Sequence, residues 1–495
     1  MINYQKFNNM LEGKKEILSK NAHEIFQNLY SDYSYKFLFE SKEISNIYGR
    51  FSIIGIDPVL HIHGKNENFY IQTLNERGKN FLEQIKKSGL EICDSLESND
   101  HEIRGIIKSE ENLFEETKRT RKKNIAQIIR IILNKFHLKK RTLLGLYGAF
   151  SYDFVRLFEK IEERLPPNET NDFDLFLYDT FVFFDHLKNQ SKIIIYRKTK
   201  KEITENIQKI NKKIENKKDK IMNYKITDPK FSLSKKQYEE LVKIAKKYAS
   251  EGEIFEIVFS NILKADFKGD PYSLYLKYRQ MNPSPYLFYF DFKNEQLIGA
   301  SPEMMVRVEN NIVHIRPISG TVKRGNDPIS DHENMLFLLT DKKERAELDM
   351  LIDLGRNDLS RICKPNLQIS DYRFVEKYSY VFHTVSHISG ELKDDFTAFD
   401  ALISCLNAGT LTGAPKIAAM NFIEKHEKER RAYYGGVIGY LTFSGEMDTA
   451  IIIRTAHIKN QKLKFQVGAT LLHRSNEEKE YQETINKAQA FLNTF

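Results

Sequence analysis

The stretch Tyr433–Ala456, YYGGVIGYLTFSGEMDTAIIIRTA, contains two strand-forming runs with no helical pattern between them. The runs Gly436–Phe443 and Ile451–Ile458 are rich in β-branched and aromatic residues, a composition typical of buried strands. A parallel sheet of βαβ units would instead alternate each strand with a helix. The stretch therefore favours an α+β fold in which strands follow one another directly.

The rest of the chain shows the same mixture of short strands and long helices. Short apolar runs predict strands, and apolar residues three and four apart predict helices. No βαβ rhythm and no short repeat is visible, so the whole sequence predicts the α+β class. The predicted strands also include Lys36–Glu40, Phe51–Ile56, Leu143–Phe150, Leu175–Asp185, Tyr286–Phe292 and Ile312–Ile315. The predicted helices are Asn124–Phe136, Tyr238–Ala249, Asp341–Leu354 and about Glu477–Asn493.

A charged segment separates two regions of different character. It is rich in Lys, Glu and Asn, and isoleucines recur in it at helical spacing, at Ile203, Ile207, Ile210 and Ile214. This pattern predicts one exposed amphipathic helix from about Thr199 to Tyr224. We therefore expect an N-terminal region 1–198, a charged helical linker 199–230 and a C-terminal region 231–495.

The composition is that of a globular chain with a sizeable core, with 41% hydrophobic and 29% charged residues among 495. No apolar run approaches the ~20 residues that a membrane-spanning helix needs. The segment Met1–Lys15 is polar and lacks the apolar centre of a signal peptide. The sequence therefore predicts a cytoplasmic protein without a membrane partner.

The net charge of +8 and the three cysteines exclude several kinds of site. The basic runs Lys118–Lys123 and Lys212–Lys220 carry no aromatic residues, whereas single-stranded nucleic acids bind basic surfaces interleaved with aromatics. Cys93, Cys363 and Cys405 are too few and too widely spaced for a disulfide framework or a zinc site. We therefore expect neither nucleic-acid binding nor a metal held by cysteine.

Two pairs of glutamates, Glu344 with Glu347 and Glu480 with Glu483, lie in helical segments. Residues three apart share one helix face, so each pair can present two carboxylates together. Mg²⁺ takes one or two carboxylates together with waters and an anionic ligand. The two pairs are therefore candidate magnesium ligands, although such pairs also occur on solvated helix faces.

Two glycine-containing segments, Pro317–Thr321 and Gly409–Lys416, are further candidates. Glycine lets backbone amides approach an anion closely, and a helix N-terminus favours negative charge. The second segment lacks the GxxxxGK[ST] spacing of a P-loop, so it does not predict nucleotide binding. Each segment taken alone suits either an anion site or a structural turn.

Five longer strings give these features a context. In chain order they resemble the signature of chorismate-utilising enzymes, and the similarity extends over nearly the whole chain. They are IRPISGT (Ile315–Thr321), DKKERAELDMLIDLGRNDLSR (Asp341–Arg361), YSYVFHTVSHISGEL (Tyr378–Leu392), NAGTLTGAPKIAAM (Asn407–Met420) and the opening stretch Tyr433–Ala456.

Within that superfamily the chain is most similar to the large subunits of anthranilate synthases. Phe37–Ser41 (FLFES) resembles the LLES motif of their tryptophan pocket, and Asn282–Tyr286 (NPSPY) resembles its other wall. Ser319 occupies the variable position of the PIxGT motif, where aminodeoxychorismate synthases often carry a nucleophilic lysine. A small residue without an amine leaves room for ammonia at that position.

The resemblance implies an α+β, two-subdomain fold with a large antiparallel β-sandwich and outer helices. It implies that the region 1–198 carries a tryptophan-feedback motif and that the region 231–495 binds chorismate. The implied reaction converts chorismate and ammonia to anthranilate and pyruvate with Mg²⁺. That reaction is the first step of tryptophan biosynthesis, and the resemblance implies feedback inhibition by tryptophan.

The resemblance also assigns roles to individual residues. Glu303 matches the family's general acid, and His383 matches a histidine linked to pyruvate elimination. Matches to the metal ligands are Glu347 and Glu483, with Glu344 and Glu480 nearby. Matches to the substrate contacts are Gly320, Thr321, Tyr434, Arg454, Gly468, Ala469, Thr470 and Lys487. Matches to the tryptophan contacts are Glu40, Ser41, Pro285, Tyr286 and Leu287.

At five positions the chain departs from the family pattern. Glu256 stands where amine-using relatives have glutamine and water-using relatives have lysine, and Leu348 replaces a histidine after the metal glutamate. Thr470 replaces the last glycine of a GAG turn, and Arg474 replaces an acidic residue. Ser319 replaces the alanine of anthranilate synthases. We expect the chain to retain activity despite these changes.

No cysteine lies in a GxCxG nucleophile elbow. The resemblance therefore implies a separate glutamine amidotransferase subunit that supplies ammonia, commonly in a heterotetramer. Ser319 disfavours an aminodeoxychorismate synthase, and the absence of lysine at Glu256 disfavours an isochorismate or salicylate synthase. An aminodeoxyisochorismate synthase, which retains the pyruvate, remains an alternative. So does a non-catalytic homologue that binds tryptophan or the partner subunit.

Overall fold

Two antiparallel sheets of 13 strands each organise the chain within the residues that the structure describes. The structure is a computed structural model, and it describes residues 2–7, 10–18, 21–42, 49–110, 116–216, 223–377 and 381–495. Strands and helices are numbered along the chain. Within the described part, no helix combines the length and the apolar character that crossing a membrane requires.

The first sheet, sheet A, joins strands from both ends of the chain. In spatial order it contains β1 (Ile2–Phe7), β2 (Met10–Ile17), β12 (Gln190–Arg197), β11 (Thr180–Asp185), β4 (Phe51–Ile56), β3 (Lys36–Glu40), β15 (Tyr286–Asp291), β16 (Glu295–Ser301), β25 (Thr455–Lys459), β26 (Lys462–Leu472), β14 (Glu256–Gly269) and β13 (Tyr224–Phe231). The short strand β22 (Gly413–Ala414) pairs with β14.

The second sheet, sheet B, mixes the two halves of the chain in the same way. In spatial order it contains β19 (Ile318–Lys323), β21 (Val381–Glu391), β18 (Ile312–Ile315), β17 (Met304–Glu309), β24 (Met447–Ile451), β23 (Val437–Thr442), β9 (Gly145–Phe150), β10 (Phe173–Tyr178), β5 (Leu60–Lys65), β6 (Asn68–Thr73), β8 (Glu102–Ile106) and β7 (Ser95–Ser98). The strand β20 (Gln368–Lys377) pairs with β21.

Helices cover the outer faces of the two sheets. They are α1 (Ala22–Tyr30), α2 (Glu76–Lys86), α3 (Gln127–Lys135), α4 (Lys200–Glu215), α5 (Lys235–Ser250), α6 (Pro271–Met281), α7 (Pro328–Thr340), α8 (Lys342–Ser360), α9 (Ala398–Cys405), α10 (Gly409–Thr412), α11 (Lys416–His426) and α12 (Glu477–Leu492). Short 3₁₀ turns lie at Leu90–Ile92, Glu116–Arg121 and Tyr152–Leu157.

The strand β3 illustrates why these residues form a sandwich. Successive side chains of a strand point to opposite faces. Phe37 points between the sheets, where its ring stacks on Tyr147 of sheet B with centroids 4.9 Å apart. Leu38 points to the outer face, into a cluster that α1, α4, α6 and α12 cover. The predicted α+β sandwich with outer helices is therefore what the structure has.

The predicted strand Ile451–Ile458 was wrong in one respect. β24 ends at Ile451 in sheet B and β25 begins at Thr455 in sheet A, because the chain crosses between the sheets here. The predicted strand Leu175–Asp185 divides in the same way into β10 of sheet B and β11 of sheet A. A continuous apolar run does not reveal such a crossing, because both strands are buried.

The predicted helix from Thr199 to Tyr224 was too long. α4 ends at Glu215, Tyr224 begins β13, and residues 217–222 lie outside the described ranges. Its isoleucine face is buried on sheet A, and its start is fixed by a capping box between Thr199 and Glu202. Because both sheets contain strands from before and after this helix, the three predicted regions share one framework.

Candidate active site

Glu303 lies where the chain crosses from β16 of sheet A to β17 of sheet B. Its carboxyl is buried and accepts a hydrogen bond of 2.9 Å from the hydroxyl of Thr410, just inside α10. Burial raises its pKa to about 7, although Thr410, Lys487 and Arg454 act in the opposite direction. Glu303 is therefore a carboxyl that holds a proton near neutral pH.

Arg454 lies at the neighbouring crossing, between β24 and β25. Its backbone has φ of 48°, and its carbonyl accepts hydrogen bonds of 3.1 Å from the amide of Ala300 and the hydroxyl of Tyr278. Within the described residues its guanidinium makes no hydrogen bond, and burial lowers its pKa. The two crossings are joined directly, since the amide of Ile451 donates to the carbonyl of Glu303 at 3.1 Å.

Gly320 forms a bulge in β19 that brings two predicted residues together. With φ of 66°, it has no room for a side chain, because an added Cβ would lie 2.6 Å from Oε2 of Glu344. Its carbonyl accepts a hydrogen bond of 3.2 Å from Nδ1 of His383 on β21. Burial, with help from Arg454, lowers the pKa of His383 to about 4, so the ring is neutral at physiological pH.

The tautomer of His383 follows from this contact. A carbonyl oxygen only accepts, so Nδ1 carries the proton and Nε2 carries the lone pair. Thr321 pairs through its backbone with the same histidine. Ser319, on the other side of the bulge, is buried, and its hydroxyl has no hydrogen-bond partner among the described residues.

Glu256 begins β14 and is almost fully buried. Neither carboxyl oxygen has a hydrogen-bond partner in the described part of the chain. Burial, together with the nearby carboxylate of Glu347 on α8, raises the pKa of Glu256 to about 8. An unpaired buried carboxyl is costly unless a cation or a donor compensates it. This arrangement therefore suits a positively charged or hydrogen-bond-donating ligand.

Lys487 on α12 joins that helix to β26. Its Nζ lies 2.7 Å from Oε1 of Glu483 and donates to the carbonyl of Gly468 at 2.9 Å. Gly468 has no space for a Cβ, which would lie 2.9 Å from the hydroxyl of Tyr434. Tyr434, Gly468 and Lys487 are thus adjacent. Of the second acidic pair, Glu480 is buried and Glu483 is exposed.

The remaining predicted substrate contacts are structural neighbours of this group. The amide of Ala469 donates to the hydroxyl of Tyr238 at 3.2 Å, so that amide is already engaged. Thr470 lies opposite Val258 in the β14–β26 pair. Of the other departures from the family pattern, Leu348 is fully buried in the apolar core, where a histidine would place a polar ring. Arg474 is exposed.

The glutamate pairs do not form a ready-made metal cluster. Among the described residues, no group of three or more His, Cys, Asp and Glu side chains lies close enough to hold a metal ion. Mg²⁺ needs only one or two carboxylates when an anionic ligand completes its shell. A cation beside Glu347 would also neutralise the unpaired carboxyl of Glu256, so Glu347 fits a Mg²⁺ ligand, whereas Glu483 is exposed and ion-paired with Lys487.

A separate cavity lies between the two sheets, with a volume of about 80 Å³. This is smaller than the roughly 300–1,000 Å³ of typical small-molecule sites. Its lining includes four of the five predicted tryptophan contacts, Glu40, Pro285, Tyr286 and Leu287, whereas Ser41 is buried outside that lining. The opposite wall comes from sheet B and includes Arg307, Tyr440 and Asp448.

The charged groups at this cavity are already paired. The side chain of Glu40 points, like that of Leu38, to the outer face of β3, where it accepts a hydrogen bond of 2.6 Å from the hydroxyl of Tyr275 and forms an ion pair with Arg279, both on α6. The hydroxyl of Tyr286 donates to Asp448 at 3.0 Å, which connects the two sheets across the cavity. We refer to this space as the inter-sheet cavity.

The model of the family described as chorismate binding enzyme matches residues 88–493 of the chain. The chain belongs to this family. It is 36% identical over 487 residues to anthranilate synthase component 1 of Buchnera aphidicola subsp. Rhopalosiphum maidis, covering 95% of this chain and 94% of the relative. It is 38% identical over 366 residues to the component 1 of Aquifex aeolicus, covering 70% of this chain and 73% of the relative.

Solved structures agree with this assignment to the chorismate binding enzymes. Anthranilate synthase component I from Streptococcus pneumoniae superposes with a TM-score of 0.70 at 31% identity, covering 91% of this chain and 93% of that one. The menaquinone-specific isochorismate synthase of Escherichia coli has a TM-score of 0.68 at 15% identity, which shows the fold alone. The predicted family and fold class are confirmed.

Sequence reasoning missed two contributors to this chorismate binding enzyme's site. Thr410 bonds to Glu303, and it lay within the glycine segment that the sequence singled out without a role for this residue. Tyr238 donates to the carbonyl of Phe259 at 2.9 Å and accepts from Ala469, which links α5 to the β14–β26 pair. No sequence signal marks Tyr238, because a tyrosine in a helix is usually a core residue.

Proposed function

We propose that the chain is the large subunit of an anthranilate synthase, which converts chorismate and ammonia to anthranilate and pyruvate. The observation that carries the proposal is the buried carboxyl of Glu303 beside Arg454 and Lys487. One protonated acid next to two cations suits a dianionic substrate from which a hydroxyl must leave. The proposed place of action is the cytoplasm.

Glu303 acts as the general acid in this proposal. A hydroxide is a poor leaving group, so the departing ring hydroxyl must receive a proton as its bond breaks. A general acid works best when its pKa lies near the operating pH, and Glu303 has a pKa of about 7. Water is kept out of this proton transfer, because the carboxyl is buried and its other contact is the hydroxyl of Thr410.

Arg454, Tyr434 and Lys487 bind the carboxylate of the enolpyruvyl group. A guanidinium matches a carboxylate with two parallel hydrogen bonds, and that of Arg454 has its donors available within the described residues. The hydroxyl of Tyr434 lies against Gly468, whose lack of a side chain leaves room for that hydroxyl. Ala469 and Thr470 extend this substrate-binding surface. Gly320 and Thr321 border the ring carboxylate.

His383 accepts a proton during elimination of pyruvate in this proposal. Its Nε2 bears the lone pair, because Nδ1 donates to Gly320, and its low pKa keeps it neutral until a proton arrives. Glu347 and Glu483, with Glu344 and Glu480 nearby, would hold Mg²⁺. When bound, the metal supplies Lewis-acid stabilisation of the ring carboxylate.

Ammonia comes from a glutamine amidotransferase subunit, and tryptophan binds in the inter-sheet cavity as a feedback inhibitor. The relatives are named component 1, which supports a partner component. The aromatic and apolar residues in the cavity lining support an aromatic amino acid as ligand. In functional terms, the region 1–198 contributes one wall of that cavity, 199–230 is the linker, and 231–495 carries the catalytic residues.

Anthranilate fluorescence tests the proposed function. The purified chain with chorismate, Mg²⁺ and excess ammonium should form anthranilate, and Glu347→Gln should require much more Mg²⁺ for the same rate. Exposed Glu253→Gln, which lies outside the site, should behave like the parent chain. Chorismate consumed without anthranilate would indicate a sibling chorismate enzyme. Tryptophan binding without any turnover would indicate a non-catalytic homologue.

A further inference from the structure

A chain of hydrogen bonds joins the two sheets beside the candidate active site. Its centre is the hydroxyl of Tyr433, which lies 3.3 Å from Oδ2 of Asp174 on β10 and 3.4 Å from Oε1 of Glu295 on β16. Nε2 of His61 on β5 donates to Oδ1 of Asp174 at 2.7 Å. Nε2 of His457 on β25 donates to Oε2 of Glu295 at 2.8 Å. We call these five residues the Tyr433 network.

The hydroxyl of Tyr433 separates two carboxylates that are largely out of water. Buried carboxylates are unfavourable unless donors compensate them. Asp174 accepts a further hydrogen bond of 2.7 Å from Nδ2 of Asn171, and Glu295 lies 3.6 Å from Nζ of Lys459. The single proton of the Tyr433 hydroxyl serves both carboxylates, so both of its contacts are longer than the usual O–H···O distance of about 2.7–2.8 Å. The phenol is therefore held from two sides.

Tyr433 belongs to the turn at residues 432–435, which also carries Tyr434. In this turn Ala432 has φ of 53°, a left-handed conformation that is unfavourable for a residue with a side chain. The amide of Tyr152 donates to the carbonyl of Ala432 at 2.8 Å, and the amide of Tyr434 donates to the carbonyl of Arg431 at 3.0 Å. Such a conformation persists only where several surrounding contacts enforce it.

The two tyrosines of the turn contact different parts of the molecule. The guanidinium carbon of Arg431 lies 5.5 Å from the ring centre of Tyr434, and Arg431 is itself fixed by Glu427 at 2.6 Å. The hydroxyl of Tyr434 lies against Gly468. The ring of Tyr433 instead extends to the Tyr433 network, with its hydroxyl between the two sheets. Because the two residues share one short stretch of backbone, a displacement of Tyr433 also displaces Tyr434.

We propose that Tyr433 is a positioning residue for chorismate binding, an inference that rests on the proposed function. Its hydroxyl, held between Asp174 and Glu295, fixes the turn so that the hydroxyl of Tyr434 faces the enolpyruvyl carboxylate of the substrate. That carboxylate takes no part in expulsion of the ring hydroxyl, so its contacts stabilise the bound substrate and the transition state equally. Loss of the Tyr433 hydroxyl should therefore raise the KM for chorismate and leave kcat nearly unchanged.

Tyr433→Phe tests the proposal against a matched control. Without the hydroxyl that separates them, the two carboxylates repel each other and displace the ring. The KM for chorismate should rise about three- to tenfold. The kcat and the KM for ammonium should stay within about twofold of the parent. The control is Tyr196→Phe on β12, because Tyr196 is fully buried and its hydroxyl donates to Glu12 at 2.6 Å. Both variants should melt slightly earlier, and only Tyr433→Phe should change a KM.

A double-mutant cycle separates positioning from a general structural effect. A residue that acts through the hydroxyl of Tyr434 loses its influence when that hydroxyl is absent. Adding Tyr433→Phe to Tyr434→Phe should therefore raise the KM for chorismate by less than about twofold more. An unchanged KM in Tyr433→Phe alone would overturn the proposal. So would the same full increase in KM with and without the hydroxyl of Tyr434.

Failure of the parent chain to make anthranilate from ammonium would instead refute the proposed function. In that case the affinity for chorismate, measured by calorimetry with the parent and the same variants, decides the role of Tyr433. Weaker binding in Tyr433→Phe that disappears in the Tyr434→Phe background would support positioning. Equal affinities of the parent and Tyr433→Phe would overturn it.

Discussion

The inter-sheet cavity and the candidate active site around Glu303, here called the Glu303 site, differ in whether their polar groups have hydrogen-bond or ion-pair partners. At the inter-sheet cavity Asp448 accepts from Tyr286, and Glu40 is paired with Arg279 and Tyr275 on the outer side of sheet A. In the Glu303 site the two oxygens of Glu256 and the hydroxyl of Ser319 have no partner among the described residues. The first cavity is complete without a ligand, whereas the second leaves buried groups that a ligand must compensate.

This difference separates two kinds of binding site. A cavity whose polar groups are all paired stabilises the fold, and it accepts a ligand only when some of its hydrogen bonds or ion pairs rearrange. An incomplete one costs stability until its substrate or metal arrives, a common property of active sites. Changes in the Glu303 site should therefore reduce turnover with little loss of stability. Changes in the inter-sheet cavity should reduce stability and leave turnover comparatively intact.

The largest expected effect is that of Glu303→Gln. The amide has no proton to give, so kcat should fall by about 10²–10⁴. Thermal stability should not decrease, because the substitution removes a buried group whose ionisation is unfavourable. Fluorescence assays and thermal melts measure the two quantities. A tryptophan affinity that falls together with kcat would contradict the view that the two cavities respond independently to substitution.

Glu40→Gln should have the opposite profile. It leaves the partly buried Arg279 without its carboxylate, and losing hydrogen bonds to a charged group costs about 1.5–3 kcal/mol. The melting temperature should drop clearly and inhibition by tryptophan should weaken, while ammonium-dependent turnover at low temperature persists. Tyr275→Phe is the control, because it removes one hydrogen bond at a cost of about 1 kcal/mol. An unchanged melting temperature in Glu40→Gln would contradict the view that this cavity is complete.

Thr410→Val should shift a pH profile. The hydroxyl of Thr410 favours the ionised form of Glu303, so its removal should raise the pKa of Glu303 above about 7. Turnover that needs protonated Glu303 declines as pH rises through this pKa, so the alkaline limb should move upward by roughly one unit. The profile is measured at constant unprotonated ammonia. Thr412→Val, whose hydroxyl bonds to Ala408, should leave the limb in place.

The smallest expected effect concerns the stability of the metal-free chain at different pH. Burial raises the pKa of Glu256 from 4.5 to about 8, so the folded state binds an extra proton between these values. Stability should therefore fall as pH rises through this interval. Glu256→Gln should melt a few degrees higher than the parent at pH 9 and equally at pH 4. Exposed Glu253→Gln should show no such difference, and a parallel pH response of both variants would contradict the prediction.

Two short strands could be predicted from the sequence to the residue. Lys36–Glu40 and Phe51–Ile56 were correct, because each is a short run of aromatic and aliphatic residues of the kind that forms buried strands. The crossing at residues 452–454 could not be predicted, since Ile451–Ile453 is uniformly apolar on both sides of it. The backbone of Arg454 has a positive φ only because of that crossing.

The candidate site was predictable by residue type and less so by arrangement. Motifs identified Glu303, Gly320 and His383, and the bulge at Gly320 does bring His383 and Glu344 together. The motifs also singled out Glu256 as a departure. That its carboxyl lacks a partner depends on which side chains meet around β14, which no single segment of sequence specifies.

The two neighbouring crossings have a mechanical consequence. Glu303 and Arg454 each sit on a segment that is anchored in sheet A at one end and in sheet B at the other, so a shear of one sheet over the other reorients both segments. The inter-sheet cavity lies between the same two layers. We expect an aromatic amino acid bound there to push the two sheets apart. This movement would misalign the general acid Glu303 and the carboxylate-binding Arg454. Spin labels on β4 and β23 that keep one spacing with and without tryptophan would refute this coupling.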